Sequence, residues 1–290
     1  MSINKKLQKQ LKDDLTTEEL SLLPRGFQTI GRKIVIKLPS ELMSKKELIA
    51  NAYLKLLPHL ESVYINKGKI KGKFREPENI QYLTGKKDNI ALHKEHGIIY
   101  KFDFTKIMFS QGNLKERRYL ATLVKEDEII VDMFAGIGYF SLPIGKLANP
   151  KKIYSIELNP LAYKFLEENI KLNNLQDIIE PINGDCKEVV IELSKKGVKA
   201  DRVIMGVFPA PKGYIDEALA LTKSSGTIYH YEGVVDKEEY MDLYNEFEEI
   251  VKKKNYKSKL NSKRFVKSVG PNLFHVVLDI EVYFNSLDHL

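Results

Sequence analysis

The chain has 290 residues, of which 43% are hydrophobic and 29% charged, with a net charge of +7 and an isoelectric point of 9.1. That balance belongs to a soluble protein with a core, and no stretch approaches the ~20 uninterrupted apolar residues that a membrane-spanning helix needs. Cys186, the lone cysteine, excludes an internal disulfide and suits a reducing cytoplasm, and the charged start Met1-Ser2-Ile3-Asn4-Lys5-Lys6 has no apolar signal-peptide core. The basic excess is clustered: Lys67, Lys69, Lys71, Lys73 and Arg75 alternate along one segment, and Lys252, Lys253, Lys254, Lys257, Lys259, Lys263, Arg264 and Lys267 crowd another. Such clusters attract a polyanion by releasing its condensed counterions, although a solvated lysine-rich surface is the plainer alternative.

Residues 1–22 read as one charged amphipathic helix, ended by Pro24-Arg25-Gly26. The β-branched run Ile34-Val35-Ile36-Lys37-Leu38 is a strand, and Leu48, Ile49, Ala52 and Leu56 recur at helical spacing within residues 42–57. Short strands follow at residues 63–65 and 80–83, and Glu95-His96-Gly97 reads as a hairpin turn between residues 91–94 and 98–104. Residues 1–105 are therefore expected to form a small α+β domain with mostly antiparallel strands.

From residue 106 the texture changes. Strands are predicted at 129–131, 152–156, 178–182, 201–207, 226–231 and 274–284, alternating with helices at 160–172, 187–195, 214–222 and 236–253. This alternation predicts an α/β domain over 106–290, with a mainly parallel sheet and helices on both faces. The tail beyond about Val282 is expected to be loosely held.

Three motifs fall at the ends of three successive strands. Val131-Asp132-Met133-Phe134-Ala135-Gly136-Ile137-Gly138 runs from a strand through small residues into a helix, and glycine lets the backbone approach a ligand. About 20 residues on, Ile153-Tyr154-Ser155-Ile156-Glu157 ends the next strand on a carboxylate able to accept both hydroxyls of a ribose. The alternative for Glu157 is a charge at the start of the helix that opens with Asn159-Pro160. Asn183-Gly184-Asp185-Cys186 ends the third strand, where Asp185 can take an adenine amine and the N–H of Cys186 a ring nitrogen. The Cys186 thiol reads as a small buried hydrophobe in preference to a nucleophile. In this order the three elements form the pattern of Rossmann-like class I S-adenosylmethionine-dependent transferases. A nicotinamide-binding motif would place a third glycine where Ser141 stands. The candidate cofactor residues are thus Phe134, Ala135, Gly136, Glu157, Asp185 and Cys186, and no metal is expected.

Phe109-Ser110-Gln111-Gly112-Asn113-Leu114-Lys115-Glu116-Arg117-Arg118, set ahead of that glycine turn, resembles the archaeal and eukaryotic tRNA enzymes that act at position 37. That family includes the guanine N1-methyltransferases and the second enzyme of wybutosine synthesis, and the resemblance runs from about Pro24 to Val282. It places Ser110 and Arg117 near the methionine arm of the cofactor. A surface ion pair with Glu116 or a neighbour is the alternative for Arg117. His230 reads as a strand-end residue without a catalytic role.

Within the family two departures matter. Methyltransferases carry Asn-Leu-Pro after the fourth strand, where this chain has Gly206-Val207-Phe208-Pro209, and their Phe-Ser-Pro-Arg becomes Phe109-Ser110-Gln111-Gly112. Both departures match the wybutosine enzyme. The resemblance therefore implies transfer of the 3-amino-3-carboxypropyl group of S-adenosylmethionine to 4-demethylwyosine at position 37 of tRNA-Phe, with methylthioadenosine released. The alternative is tRNA guanine-37 N1-methylation on the same fold. The anticodon region of tRNA-Phe is the expected partner of a cytoplasmic monomer that needs no membrane, and the small amino-terminal domain is expected to assist tRNA binding.

Overall fold

A computed structural model describes residues 2–284, and the tail expectation beyond Phe284 lies outside the described residues. The chain divides into two compact units, Met1–Phe109 and Ser110–Leu290.

In the first unit the single helix expected over residues 1–22 is two helices, α1 (Ile3–Gln10) and α2 (Thr17–Ser21). Local capping explains the break. The hydroxyl of Thr16 accepts the Glu19 N–H at 3.2 Å, and the Glu19 carboxylate accepts the Thr16 N–H at 2.8 Å, which starts a new helix at that point. Leu7, Leu11, Leu15 and Leu23 still reach one core. There they meet α3 (Lys46–Leu56) and the sheet of β1 (Gln28–Ile30), β2 (Lys33–Ile36), β3 (Ser62–Asn66) and β6 (Ile80–Gly85). Only the β2–β3 pair of that sheet is parallel. The basic segment at residues 67–75 forms the turn of an exposed ribbon, β4 (Ile70–Lys71) with β5 (Glu76–Pro77). The expected hairpin is present as β7 (Ile90–Glu95) and β8 (Ile98–Asp103), joined through His96 and Gly97 at φ of 50° and 81°. Two consecutive positive φ values are what a two-residue turn between twisted strands requires.

The second unit opens on α4 (Leu114–Leu123) and then alternates as predicted: β9 (Ile129–Asp132), α5 (Ser141–Leu147), β10 (Lys152–Glu157), α6 (Pro160–Leu172), β11 (Ile179–Asn183), α7 (Cys186–Lys195) and β12 (Arg202–Met205). The helix expected at 214–222 is a short α8 (Ile215–Ala218) flanked by 3-10 turns. Next come β13 (Thr227–Asp236), α9 (Tyr240–Lys253), β14 (Tyr256–Gly270) and β15 (Leu273–Phe284). Strand order is β11-β10-β9-β12-β13-β15-β14. The first five strands are parallel, and β15 and β14 extend the sheet antiparallel. The 15-residue β14, which occupies the second basic cluster, was not foreseen.

Because strand side chains alternate, the two faces of this sheet differ. Val131, Met205, Tyr229, Tyr231, Leu278 and Ile280 share one face with the buried Val190 of α7, Ile215 of α8 and Phe247 of α9. The other face carries Asp132, His230, Glu232 and Asp279, all buried. Each large apolar side chain on the first face contributes roughly 1.5–3 kcal/mol on burial, whereas each charge on the second costs stability unless it is paired.

Candidate active site

The three sequence motifs meet at the carboxyl ends of β9, β10 and β11, where an open α/β sheet binds its ligand. The turn after β9 favours glycine at two positions. Gly136 and Gly138 have φ of 59° and 97°, and a Cβ at either would lie 2.5 Å from the Tyr139 ring or 2.6 Å from Leu142. Glu157, at the end of β10, fastens this turn. One carboxylate oxygen accepts the Gly136 N–H at 2.8 Å and the other the Asn159 N–H at 2.6 Å. Burial raises the Glu157 pKa, and the N–H groups of Asn159, Gly136 and Leu158 pull it back. The helix-start reading of Glu157 is seen in the bond to the Asn159 N–H, and the same carboxylate also faces the glycine turn.

At the end of β11, Asp185 caps α7 by accepting the Lys187 N–H at 3.1 Å. Cys186 is the first residue of that helix, so its N–H is among those with no intrahelical acceptor. Burial pushes the Cys186 thiol up to about 12, and the side chain packs in the apolar core, as the hydrophobe reading expected. Tyr214 completes this end of the site. Its ring meets Phe134 edge to face at 5.1 Å and lies 5.3 Å from the Lys187 ammonium, and its phenol is raised by burial, then by Cys186 and Asp185. No motif announced Tyr214, because it comes from the loop after β12.

Ser110 and Arg117 come together at the start of the unit. Arg117 is 2% exposed, its guanidinium donates to the Ser110 carbonyl at 2.7 Å, and it stacks 4.7 Å from the Tyr139 ring centroid. The surface ion pair with Glu116 does not form. Glu116 instead bonds Arg264 at 2.9 Å, from β14. Lys267, also from β14, donates to the Ser110 hydroxyl at 2.9 Å. Its stem runs where a side chain at residue 112 would stand, since a Cβ on Gly112 would lie 2.7 Å from the Lys267 Cδ. A cation thus reaches Ser110 from a strand 157 residues away in sequence. Burial, and then the neighbouring Arg117, lowers the Lys267 pKa.

Gly206 follows β12 directly. A Cβ there would meet Phe140 at 3.0 Å and the Glu232 carboxylate at 3.4 Å. Glu232 is buried and bonds His275 at 3.0 Å, and the Phe208 ring stands edge-on to His275 at 4.6 Å. A side chain at this position would need Phe140 to give by a few tenths of an ångström. Beneath the glycine turn, Asp132 is fully buried and accepts the Ser141 hydroxyl at 2.7 Å, and Ser141 accepts that of Ser155 at 2.7 Å. Burial pushes the Asp132 carboxyl up to about 7.

His230 takes no part in this site. Its Nε2 faces the Arg202 guanidinium at 2.7 Å and its Nδ1 lies against Asp279, which assigns a neutral ring with the proton on Nδ1. Burial lowers the His230 pKa, in keeping with that state. Arg202 also bonds Glu128 at 2.9 and 3.1 Å, and Arg264 bonds both Asp279 and Glu116. The result is one buried ionic chain across β12, β13, β15 and β14. Among the described residues no cluster of His, Cys, Asp or Glu could hold a metal ion, and no helix is long and apolar enough to cross a membrane.

Comparison with known proteins agrees with this geometry. Residues 91–259 match the model of the TRM5/TYW2 methyltransferase domain, and residues 7–88 match that of the TYW2 N-terminal domain. The tRNA(Phe) (4-demethylwyosine(37)-C(7)) aminocarboxypropyltransferase of Methanocaldococcus jannaschii is 37% identical over 253 residues, 87% of this chain and 96% of that one. The tRNA (guanine(37)-N(1))-methyltransferase Trm5b of Pyrococcus abyssi is 31% identical over 90% of this chain and 76% of its own length. The crystal structure of Pyrococcus horikoshii TYW2 in complex with MeSAdo superposes with a TM-score of 0.82 at 33% identity, covering 98% of this chain and all of that one. By family model, sequence and fold, the chain belongs to the TRM5/TYW2 family.

Proposed function

We propose that this protein transfers the 3-amino-3-carboxypropyl group of S-adenosylmethionine to C7 of 4-demethylwyosine at position 37 of tRNA-Phe. S-adenosylmethionine is the co-substrate, and its sulfonium supplies an activated carbon chain: one carbon–sulfur bond breaks, a carbon–carbon bond to the base forms, the ring proton leaves, and methylthioadenosine departs. What selects that carbon is which one is held in line with the nucleophile, since misplacement by ~1 Å costs rate heavily.

The protein's own groups divide the work. Glu157 holds the ribose hydroxyls while its bonds to Gly136 and Asn159 fix the turn that passes beneath the adenosine. Asp185 and the Cys186 N–H take the adenine edge, with Phe134 and Tyr214 beside them and the backbone of Ala135 in the turn. Ser110, Arg117 and Lys267 make a polar, cationic corner suited to the carboxylate of the transferred arm. The observation that carries the aminocarboxypropyl reading is the pair of replacements, Gly206 beside Glu232 and Phe140 and Gly112 crossed by Lys267. The methyltransferase reading needs a side-chain amide at residue 206, and Gly206 supplies none.

The exposed ribbon at residues 67–75 supports a role for the small amino-terminal domain in tRNA binding, and we read the enzyme as a cytoplasmic monomer. Labelled co-substrate tests the chemistry. With S-adenosylmethionine labelled in the methyl group, the label stays in methylthioadenosine, whereas a carboxyl label enters the tRNA. Methyl label in the tRNA would overturn the proposal in favour of the methyltransferase.

A further inference from the structure

β14 is the edge strand of the sheet, and it is long. A bare edge of 15 residues invites pairing with another chain, and exposed lysines such as Lys257 and Lys259 are a common guard against it. The far end of the β14–β15 hairpin does the opposite. Phe265 is 37% exposed, and Val269 and Leu273 at the tip are 46% and 42% exposed. Exposed single apolar residues are ordinary, but Phe265 stands beside two further rings on the α9 side of the hairpin. Phe265 is gripped edge to face by Phe274 at 5.8 Å and Tyr240 at 6.2 Å. Lys263 holds its ammonium 3.5 Å from the Tyr240 ring centroid. A ring presented by its neighbours with a cation beside it is poorly suited to water and well suited to a nucleobase and its phosphate.

The location agrees. β13 runs five residues past Met205, its partner at the end of β12, and the loop that follows Gly206 lies along it through a Val234 N–H to Pro209 carbonyl bond of 3.0 Å. That loop brings Phe208 onto His275, and Phe274 is the next residue of the hairpin. Along β15 His275 and Phe274 point to opposite faces, so the exposed rings lie on the α9 side of the same carboxyl end of the sheet at which the site opens.

We propose that the tip of the β14–β15 hairpin, with Phe265 at its centre and Lys263 beside it, is a stacking platform for an unpaired nucleotide of the RNA substrate. The proposal rests on the reading of tRNA as substrate and adds the surface that grips the RNA near its reacting base. Charge complementarity favours RNA over a second copy of this chain, because the same edge carries Lys257, Lys259 and Lys263 and would repel itself.

The chain contains no tryptophan, so Phe265→Trp makes the platform a single-tryptophan reporter. Titration of the full-length variant with tRNA should quench its emission saturably, and salt should reverse the quenching. Phe265→Ala should raise the Kd for tRNA by about tenfold, the usual worth of one stacked base, with the Kd for S-adenosylmethionine unchanged. Phe265→Tyr should restore most of the loss. An unquenched tryptophan, or wild-type tRNA affinity in a folded Phe265→Ala variant, would overturn the platform. So would a concentration-dependent dimer that Phe265→Ala dissolves without effect on tRNA binding. Failure of the wild-type protein to bind tRNA at all would instead remove the substrate reading beneath it.

Discussion

The parallel and antiparallel parts of the large sheet handle charge in different ways. In the parallel part, β11-β10-β9-β12, functional groups lie at strand ends and their partners are close in sequence: Glu157 with Asn159, Asp185 with Lys187, Asp132 with Ser141. Beyond β12, charges sit in mid-strand on a buried face, and their partners are remote. Arg264 meets Glu116 across 148 residues and Asp279 across 15, and His275 meets Glu232 across 43. The first arrangement builds a ligand site from short motifs. The second ties α4, and with it Arg117 and Ser110, to the outer strands, so part of the site is held by groups that no motif contains.

The largest test of this contrast is Arg264→Ala. It leaves the Glu116 and Asp279 carboxylates, 6% and 7% exposed, without the guanidinium they share. Burial raises the Glu116 pKa, and Arg264 is what offsets it. At Asp279 the bonds from His230 and Arg264 outweigh burial and hold the carboxyl well below the usual range. Removing one partner of a buried pair costs about 3–5 kcal/mol, which denaturant unfolding would read directly. The exposed pair of Lys252 with Glu248 is the contrast, where Lys252→Ala should cost about 0.3–0.5 kcal/mol. Equal losses in the two variants would mean that burial does not set the difference.

The same contrast explains what could be read from sequence. α6 was legible to the residue because Asn159-Pro160 starts it and Ala162, Phe165, Leu166 and Ile170 fill one face. The hairpin turn at His96-Gly97 was legible for the same local reason. β14 was not, because its inward positions include Ser262 and Arg264 in place of an apolar stripe, so its period of two resembles any run of charges. β13 extends to Asp236, where a helix was expected to begin, since β15 supplies an antiparallel partner along its whole length. Of the site, the glycine turn, Glu157, Asp185 and Cys186 were visible as motifs. Lys267, Tyr214 and Glu232 depend on contacts that only the fold makes.

In the parallel part the corresponding variant is Glu157→Ala. A carboxylate that accepts hydroxyl bonds in a mostly buried setting is worth about 2–3 kcal/mol, so calorimetry on the folded variant should show S-adenosylmethionine bound roughly 30–150-fold more weakly. Unchanged affinity would remove Glu157 from the ribose and leave it only its local bonds to Gly136 and Asn159.

Asp132 differs from the paired carboxylates in sign. Burial raises its pKa to about 7 in the folded protein, against an ordinary value of 3.8. Between these values the folded state holds a proton that the unfolded state has lost, so stability falls as pH rises, by at most about 1.4 kcal/mol per pH unit, and levels off above 7. Asp279 behaves in the opposite sense: its carboxyl is lowered, so its contribution is present above the ordinary carboxylate range and is lost in acid. Asparagine mimics the protonated acid, and its amide oxygen can still accept the Ser141 hydroxyl that Asp132 accepts. Asp132→Asn should therefore match the wild type only below about pH 4 and exceed its stability above that, with the difference opening between pH 4 and 7 and constant from there to pH 8 in denaturant unfolding. A difference that is constant with pH would mean that Asp132 is already ionised in the folded protein. The Ser155–Ser141–Asp132 chain would then end on a carboxylate beneath the glycine turn, solvated by the Ser141 hydroxyl and the Phe134 N–H.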